Sequence, residues 1–232
     1  MIKQNLKIHA IILARGNSKS IKQKNLKIIN GKPLIYWTIL DCLKSSYIEN
    51  VWVSSDNNEI LDYSKKIGAS IIVRPKSLSK DTSTSESGWL HAIKEIEKEN
   101  IIKNIMFLQA TSPVRGYSDM NEAIKVFFKD NLDSLFSSNV LKSRYFWKKK
   151  NKILKPLYRL NHRKRRQDME ANFVENGSFY IANVKKFKKF KNRLFGNVGN
   201  YNQKFIKSFE IDEIDDLKMV SSILKLHINK KI

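Results

Sequence analysis

The sequence predicts an α/β fold in which helices cover both faces of a mostly parallel sheet. Two observations lead to this prediction: short β-branched, apolar runs alternate with helical stretches along the chain, and the connections between them are short. The chain has 232 residues, of which 41% are hydrophobic and 10% aromatic. This is enough for one sizeable core, so we expect a single domain over residues 1–232 rather than a disordered chain.

Seven short apolar runs have the composition of strands. The first of them is rich in β-branched residues and ends directly in a loop of glycine, asparagine and serine. We predict strands at residues 7–13, 50–55, 70–73, 104–109, 132–138, 177–182 and 206–211.

Helical stretches separate most of these strands. We predict helices at residues 33–43, 57–67, 83–99, 118–129 and 213–226. Pro33 suits the first turn of the first helix, where a missing N–H costs nothing. Asp56 or Asn57 is the expected N-cap of the second helix, and Gly68 is expected to end it.

The third helix is predicted from the spacing of its apolar residues, which is that of an amphipathic helix. These residues are Trp89, Leu90, Ile93 and Ile96. Asp81 and Thr82 precede it, and either is a candidate N-cap, because Asp and Thr side chains accept hydrogen bonds from free backbone N–H groups.

Residues 142–176 interrupt the alternation of strand and helix. This stretch is long, basic and aromatic, and too large for an ordinary loop, so we interpret it as an inserted arm with a functional or oligomerisation role. No acidic residue occurs between positions 134 and 167, where the cationic residues are Lys142, Arg144, Lys148, Lys149, Lys150, Lys152, Lys155, Arg159, Arg163, Lys164, Arg165 and Arg166.

The formal net charge is +22, from 44 Lys and Arg against 22 Asp and Glu. Basic clusters with aromatic neighbours are typical of nucleic-acid binding. Lysine is abundant throughout the chain, however, and we favour this general composition, or a local anionic ligand, over a nucleic-acid partner. The single cysteine, Cys42, excludes an internal disulfide and a cysteine-cluster zinc site.

Neither a secretory signal nor a membrane span is evident in the sequence. The first residues lack the long apolar segment of a secretory signal. No apolar run approaches the roughly 20 residues that a membrane-spanning helix needs. We therefore expect a cytoplasmic protein without a membrane partner.

Ligands of open α/β sheets bind beyond the carboxyl ends of the strands, which selects the loops after positions 13, 55, 109 and 211. The first of these loops combines one glycine and small polar residues with Arg15, Lys19 and Lys24. Such a loop can bind a polyphosphate through backbone N–H groups and cations. It matches neither G-x-x-x-x-G-K-[ST] nor G-x-G-x-x-G, which argues against those two nucleotide-binding classes.

Two carboxylates, Glu210 and Asp212, share one face of the predicted last strand, because alternate side chains of a strand point the same way. This spacing suits a hard divalent cation that is bound together with substrate phosphates, and Mg²⁺ is the expected ion. Asp215 or Asp216 is expected to favour the start of the last helix, where a negative charge interacts well with the helix dipole.

Seven groups of motifs occur in order along nearly the whole chain, and together they resemble the acylneuraminate cytidylyltransferases, also called CMP-sialic acid synthetases. The motifs are IILARGNSK (11–19) with KNL (24–26) and GKPL (31–34), VSSD (53–56), RP (74–75) with DT (81–82), LQATSPVR (108–115), RRQD (165–168), NGSFYI (176–181) and EID (210–212).

The resemblance implies a Rossmann-like nucleotidyltransferase fold. It also implies transfer of CMP from CTP to a nine-carbon 2-keto-3-deoxy sugar acid, with release of pyrophosphate and with a divalent metal. Family members are dimers, so the arm at residues 142–176 is expected to reach across a homodimer and help complete the acceptor site of the neighbouring subunit.

The resemblance assigns the phosphates of CTP to the first loop. Arg15 and Lys24 would hold the triphosphate, while Ser18 and the backbone at Gly16 and Asn17 would cradle it. Neutralising charge on three phosphates is the main electrostatic task in such a reaction, so these two cations are expected to be catalytic.

The nucleoside and the acceptor are assigned to other motifs by the same resemblance. Arg74 and Ser85 match positions that contact cytosine, and Asn25 matches one near the ribose and base. The acceptor sugar is assigned to Gln109, Arg165, Arg166 and Asn176.

The metal site departs from the family pattern, which is usually Asp-x-Asp. Glu210 replaces the first aspartate, so Asp212 is expected to be the principal metal ligand and a catalytic residue, with Glu210 as a second ligand. The sequence identifies no general base for the acceptor hydroxyl.

Two alternatives remain open. The first is cytidylyl transfer to another ulosonic acid, such as legionaminic, pseudaminic or 3-deoxy-octulosonic acid; the Lys-Asn pair at positions 24–25 favours the nine-carbon acids over octulosonate. The second is a nucleic-acid-binding module on a degenerate nucleotidyltransferase fold.

Overall fold

The computed structural model describes residues 6–141 and 144–229, without the side chain of Arg166. Lys142, the first residue of the predicted arm, lies outside the described residues, as do both ends of the predicted domain. The strands are β1 (Ile8–Leu13), β2 (Ile28–Ile29), β3 (Lys32–Pro33), β4 (Ile48–Ser55), β5 (Ser70–Val73), β6 (Asn104–Gln109), β7 (Ser134–Leu141), β8 (Trp147–Lys150), β9 (Ile153–Pro156), β10 (Asn172–Asn183) and β11 (Val198–Asn202). The helices are α1 (Leu34–Lys44), α2 (Asn58–Ile67), α3 (Ser85–Ile96), α4 (Tyr117–Lys129), α5 (Val184–Phe190) and α6 (Ile214–Ile228).

Seven of these strands form one sheet in the order β11-β7-β10-β6-β1-β4-β5. The pairs β1–β4, β1–β6, β4–β5 and β7–β11 are parallel, whereas β10 runs antiparallel to both β6 and β7. The predicted mostly parallel sheet is therefore confirmed. Because β10 is reversed, its earlier residues lie at the same edge as the carboxyl end of β6.

Helices cover both faces of the sheet, which explains why consecutive residues of the central strand are all apolar. Ile11 belongs to one buried cluster, with Trp89 and Ile93 of α3. Its neighbour Ile12 belongs to the cluster on the other face, with Ile35 of α1. Burial on both faces fixes β1 and β6 rigidly, and these two strands carry the loops of the candidate site.

A third apolar cluster lies beyond the carboxyl edge of the sheet and joins distant parts of the chain. Ile21, from the loop after β1, packs there with Leu34 of α1, with Ile211, and with Val220 and Leu224 of α6. This cluster is what brings the segment before α6 up against the first loop.

The predicted helix ends are confirmed at α2 and corrected at α3. The side-chain oxygen of Asn57 accepts a hydrogen bond from the Ile60 N–H at 3.0 Å, and Gly68 ends α2 with a φ of 110°. At α3 the cap is Thr84, whose hydroxyl accepts from the Ser87 N–H at 3.2 Å, and neither Asp81 nor Thr82 has this role.

The prediction of a strand at residues 206–211 is wrong. Its first part is a 3₁₀ turn (Phe205–Lys207), and the following residues to Asp212 have no strand structure. The apolar side chain of Ile211 is buried in the third cluster rather than on the sheet. Its backbone N–H donates a hydrogen bond to the Thr111 carbonyl at 2.9 Å, which connects it to the loop after β6. The edge strand beside β7 is instead β11, which the sequence did not predict.

Two small hairpins and one helix were also not predicted. Strands β8 and β9 form an antiparallel hairpin within the basic stretch, and β2 and β3 form a second small hairpin. Helix α5 coincides with the second basic run, and only Val184 and Phe187 of it are buried. Among the described helices, none has the length and apolarity that crossing a membrane requires.

Candidate active site

A cleft of about 360 Å³ opens at the carboxyl ends of β1 and β6, where the topology predicts a ligand site. Eight of the predicted site residues line it together: Arg15, Ser18, Lys24, Asn25, Arg74, Ser85, Gln109 and Asp212. They come from five separate segments of the chain, so the fold assembles them rather than local sequence.

Lys24 and Asp212 meet at one side of the cleft. The Lys24 ammonium donates to the carbonyl of Ile211 at 3.0 Å and lies 3.2 Å from Oδ1 of Asp212. The Ser20 hydroxyl also donates to the carbonyl of Asp212. The side chain of Lys24 is 11% exposed and that of Asp212 is 71% exposed, so the carboxylate points into solvent while the lysine is held beneath it.

The loop after β1 is held in shape by its own hydrogen bonds. Asn25 is buried, and its amide donates to the carbonyl of Arg15 at 3.0 Å. The Gly16 N–H donates to Oδ1 of Asp56 at 3.0 Å, which ties the loop to the end of β4. There is no room for a side chain at position 16, since a Cβ there would lie 2.8 Å from Cβ of Asn57.

Arg15 points toward a single carboxylate, that of Asp81. Nη1 of Arg15 lies 2.7 Å from Oδ1 of Asp81, and Nζ of Lys19 lies 3.2 Å from Oδ2. The hydrogen bond from Lys19 and the charges of both cations hold the pKa of Asp81 below its usual value.

Arg74 is buried at the floor of the cleft. Its Nε donates to the hydroxyl of Ser79 at 2.9 Å, and its Nη2 lies 3.9 Å from Asp56. Burial lowers the pKa of Arg74. Gly88 of α3 leaves room for the guanidinium, because a Cβ at that position would lie 3.3 Å from Nη1 of Arg74.

Gln109, Gly177 and Glu210 converge beside the cleft, because reversed β10 places its early residues next to the end of β6. A Cβ on Gly177, which has a φ of +70°, would lie 2.6 Å from Oε1 of Glu210 and 3.1 Å from Nε2 of Gln109. The Gln109 amide oxygen accepts from the Thr111 hydroxyl at 3.2 Å, which leaves its NH₂ group available to a ligand.

The pKa of Glu210 is raised to about 7, mainly by burial and further by the nearby charge of Asp212. Arg115 and Lys24 oppose this shift. Asp212 lines the cleft and Glu210 does not, and because the segment is not a strand, the strand geometry that the sequence predicted for this pair is wrong.

Arg115 is fully buried below this region. It donates to the carbonyls of Gln109 and Ser178, to the Ser178 hydroxyl at 3.1 Å and to the Thr38 hydroxyl at 3.0 Å. These four acceptors are uncharged oxygens from β6, β10 and α1. Arg115 therefore fixes the junction that presents Gln109.

Asn176 and Arg165, two of the other predicted acceptor residues, are not among the residues that line the cleft. The amide of Asn176 is engaged inside the protein: it donates to Asn139 and to Gln203, both at 3.0 Å, and accepts from the Ser137 hydroxyl at 2.5 Å. Arg165 is exposed on the arm and pairs with Asp168 at 2.7 Å. The side chain of Arg166 lies outside the described residues, and the roles of these three residues stay predictions.

Three residues of the region have no role in the site that the sequence predicts. Arg115 lies in a matching motif without an assigned role, and Asp56 and Asp81 are predicted only as candidate helix caps. Their position after strand ends was a usable signal for Asp56 and Arg115. The pairing of Asp81 with Arg15 spans 66 residues and has no local signature.

The fold is a Rossmann-like nucleotidyltransferase fold. The solved structure of a CMP:2-keto-3-deoxy-manno-octonic acid synthetase complexed with CTP superimposes with a TM-score of 0.70 at 15% identity, covering 94% of this chain and 98% of that one. A 4-diphosphocytidyl-2C-methyl-D-erythritol synthase from Anaerococcus prevotii gives a TM-score of 0.67 at 11% identity and covers 97% and 99% of the two chains. At such identities the likeness shows the fold alone.

Sequence comparison identifies the family. The cytidylyltransferase family model matches residues 9–231. N-acylneuraminate cytidylyltransferase A of Danio rerio is 38% identical over 182 residues, which are 75% of this chain and 41% of that protein. Pseudaminic acid cytidylyltransferase of Campylobacter jejuni is 31% identical over 180 residues, covering 75% of this chain and 78% of that protein. The chain belongs to the cytidylyltransferase family, and it spans less than half the length of the vertebrate relatives it matches.

Proposed function

We propose that this protein transfers CMP from CTP to an acylneuraminate-like nonulosonic acid and releases pyrophosphate. The observation that carries the proposal is the convergence of Arg15 and Lys24 with Asp212 in one cleft that is also lined by Gln109. Attack of a sugar hydroxyl on the α-phosphorus needs charge neutralisation and positioning more than covalent help from the protein. The cleft offers cations for the phosphates and an amide for the acceptor.

Arg15 and Lys24 bind the triphosphate in this proposal, and Ser18 and the backbone at Asn17 complete its cradle. Two unit charges about 4 Å apart near a protein surface interact by roughly 4 kcal/mol, so loss of either cation is expected to slow the reaction severely. Buried Arg74 and exposed Ser85 both line the cleft and are suited to the polar edge of cytosine, and Asn25 holds the loop after β1 in shape.

Asp212 and Glu210 would hold Mg²⁺. The donor set fits this ion: Asp212 is exposed at the cleft and Glu210 is close enough for its pKa to respond to the charge of Asp212. Mg²⁺ keeps several waters and takes other ligands from substrate phosphates, so it needs only one or two protein carboxylates. When bound, the ion would supply charge neutralisation at the phosphates.

The acceptor is bound by Gln109, whose position is fixed by Arg115, and its carboxylate by cations of the arm in a second subunit. Arg165 suits this task, since a guanidinium can grip a carboxylate through two parallel hydrogen bonds. We propose a homodimer because the arm exposes large apolar side chains that one subunit leaves uncovered. They include Trp147, Ile153, Leu154, Leu157 and Leu160.

A second candidate acceptor is pseudaminic acid, which the name of the Campylobacter jejuni relative suggests. Legionaminic and 3-deoxy-octulosonic acids complete the set of competing acceptors. These acids share the 2-keto carboxylate. Because CTP is the nucleotide in every case, the same phosphate-binding residues serve all of them.

Pyrophosphate release from CTP, measured with a panel of these acids, tests the proposal. We expect release only when an acid is present and only with a divalent metal, and the best acid names the acceptor. Equal release without any acid, or no release with every acid, would contradict it. Binding of generic RNA with steep salt dependence, together with no CTP turnover, would favour the nucleic-acid-binding alternative.

A further inference from the structure

We propose that, when no nucleotide is bound, Asp81 pairs with Arg15, one of the two proposed triphosphate-binding cations, and with Lys19 of the same loop, and that it thereby determines how tightly phosphates bind. The inference rests on the proposed function in one respect, namely that Arg15 receives phosphates of CTP. It adds a residue that competes with the substrate from within the protein.

The geometry is that of a bridging anion. Oδ1 of Asp81 lies 2.7 Å from Nη1 of Arg15, and Oδ2 lies 3.2 Å from Nζ of Lys19. Each carboxylate oxygen thus takes one cation of the loop after β1, as two oxygens of a phosphate group would. Asp81 is one of the residues that line the cleft.

Asp81 has no evident structural task that would explain this position. The N-cap of α3 is Thr84, so Asp81 does not start the helix. Its side chain is 45% exposed and that of Lys19 is 76% exposed. Exposed ion pairs of this kind contribute little to folding stability, so the two contacts matter chiefly for the charge that the cleft presents.

The segment that carries Asp81 is tied down mainly by local bonds. The Ser83 N–H donates to the carbonyl of Lys80 at 3.0 Å, and the Ser83 hydroxyl donates to the carbonyl of Ser77 at 3.1 Å. Ser79 is anchored at the base of the segment by Arg74. Withdrawal of Asp81 from the cations therefore breaks its two ion pairs and leaves these anchors in place.

The pairing of Asp81 should affect the binding of ligands with phosphates but not the binding of nucleosides without them. A ligand that carries phosphates must displace the Asp81 carboxylate from Arg15 and Lys19, whereas a nucleoside without phosphates need not. Removing the carboxylate should strengthen binding of the first kind of ligand and leave the second unchanged.

Calorimetric titration of the wild type and Asp81→Asn with inorganic tripolyphosphate, CTP and cytidine tests the proposal. We expect Asp81→Asn to bind tripolyphosphate and CTP roughly threefold to tenfold more tightly, since two exposed ion pairs of ordinary strength are lost on displacement. Cytidine binding should not change. The matched control is Glu59→Gln, which removes one exposed negative charge in the first turn of α2, two residues from the Asn57 side chain that lies against Gly16.

Unchanged or weaker tripolyphosphate binding by Asp81→Asn would overturn the proposal, and so would equal tightening in Glu59→Gln, which would indicate a general charge effect. No binding of tripolyphosphate by either protein would also overturn it. If the variant shows the expected difference but neither protein turns over CTP with any acid, the proposed function fails while this inference stands.

A titration of the Asp81 carboxyl by NMR gives a second, independent readout. Its pKa lies below the usual value because Lys19 and Arg15 contact it. Saturating tripolyphosphate should move this pKa upward as the cations turn to the ligand. A pKa that stays low in the saturated protein would show that Asp81 keeps both cations and would refute displacement.

Discussion

The ammonium of Lys24 lies 3.2 Å from Oδ1 of Asp212, although 188 residues separate the two in the chain. The contact depends on Ile211, which is fully buried with Ile21 and Leu34 in the apolar cluster beyond the sheet edge. Burial of this one side chain holds its neighbour Asp212 against the first loop. An apolar contact therefore positions the charged pair on which the proposed chemistry depends.

Replacing Lys24 by alanine should reduce turnover by at least about a hundredfold. Two unit charges about 4 Å apart near a protein surface interact by roughly 4 kcal/mol, and each 1.4 kcal/mol is a factor of ten in rate. The measurement is the rate of pyrophosphate release at saturating CTP and acid. Lys22→Ala removes an exposed lysine of the same loop and serves as the control; a similar loss in both variants would mean that Lys24 has no special role.

Replacing Gly177 by alanine should impair use of the acid more than use of CTP. The added Cβ would lie 2.6 Å from Oε1 of Glu210 and 3.1 Å from Nε2 of Gln109, so both side chains must move. We expect the KM for the acid to rise roughly tenfold, equivalent to about 1.4 kcal/mol, and the KM for CTP to rise less, through the disturbance of Glu210 at the proposed Mg²⁺ site.

Gly31→Ala separates this displacement from backbone strain. Gly31 has a φ of +80°, close to that of Gly177, but a Cβ there would meet no atom within 4 Å. Both variants should lose about 1–2 kcal/mol of unfolding free energy from the left-handed conformation. An equal KM for the acid in Gly177→Ala and the wild type would contradict the predicted contact.

The parts of the fold that sequence could predict are those set by local pattern. Strands β1 and β6 are short apolar runs that end in polar loops, and the rule on carboxyl ends then places the site. Lys24 belongs to the loop after β1 and Gln109 is the last residue of β6, so the rule places both at the site, whereas their individual roles are what the family resemblance implies. The apolar spacing of α3 and the glycine after α2 are equally local signals.

The features that escaped prediction depend on contacts between distant segments. Phe209 and Ile211 alternate with polar residues as in a strand, yet Ile211 packs against α6 and the first loop instead of pairing in the sheet. Asp81 has the sequence features of a helix cap, but Thr84 is close enough to α3 to take that role. Burial of Arg115 with four uncharged acceptors has no sequence pattern, since these acceptors come from three separate elements, β6, β10 and α1.

Replacing Asp41 by asparagine should change how stability depends on pH. Burial raises the pKa of this carboxyl from 3.8 to about 6, against the opposing charge of Arg115. Between these two values the native state binds more protons than the unfolded state, so the contribution of Asp41 to unfolding free energy falls as the pH rises from about 4 to 6.

The asparagine variant lacks this titration, so its stability relative to the wild type should increase across that range and then level off. Urea unfolding at a series of pH values measures the difference. Asp62→Asn, at an exposed position of α2, should run parallel to the wild type. A difference between Asp41→Asn and the wild type that is independent of pH would show that Asp41 keeps an ordinary pKa in the folded protein.

Replacing Leu154 by glutamate should convert the proposed dimer into a monomer. Leu154 is 61% exposed on the β8–β9 hairpin, and a second subunit that covers it would have to bury the new charge without a partner. Sedimentation velocity should show the change in mass, and turnover with the acid should fall because the neighbour's arm no longer reaches the acceptor. Ile101→Glu is the control, since Ile101 is 91% exposed but lies outside the arm. A wild type that sediments as a monomer at all concentrations, or a dimer that survives Leu154→Glu, would argue against the arm as the dimer contact.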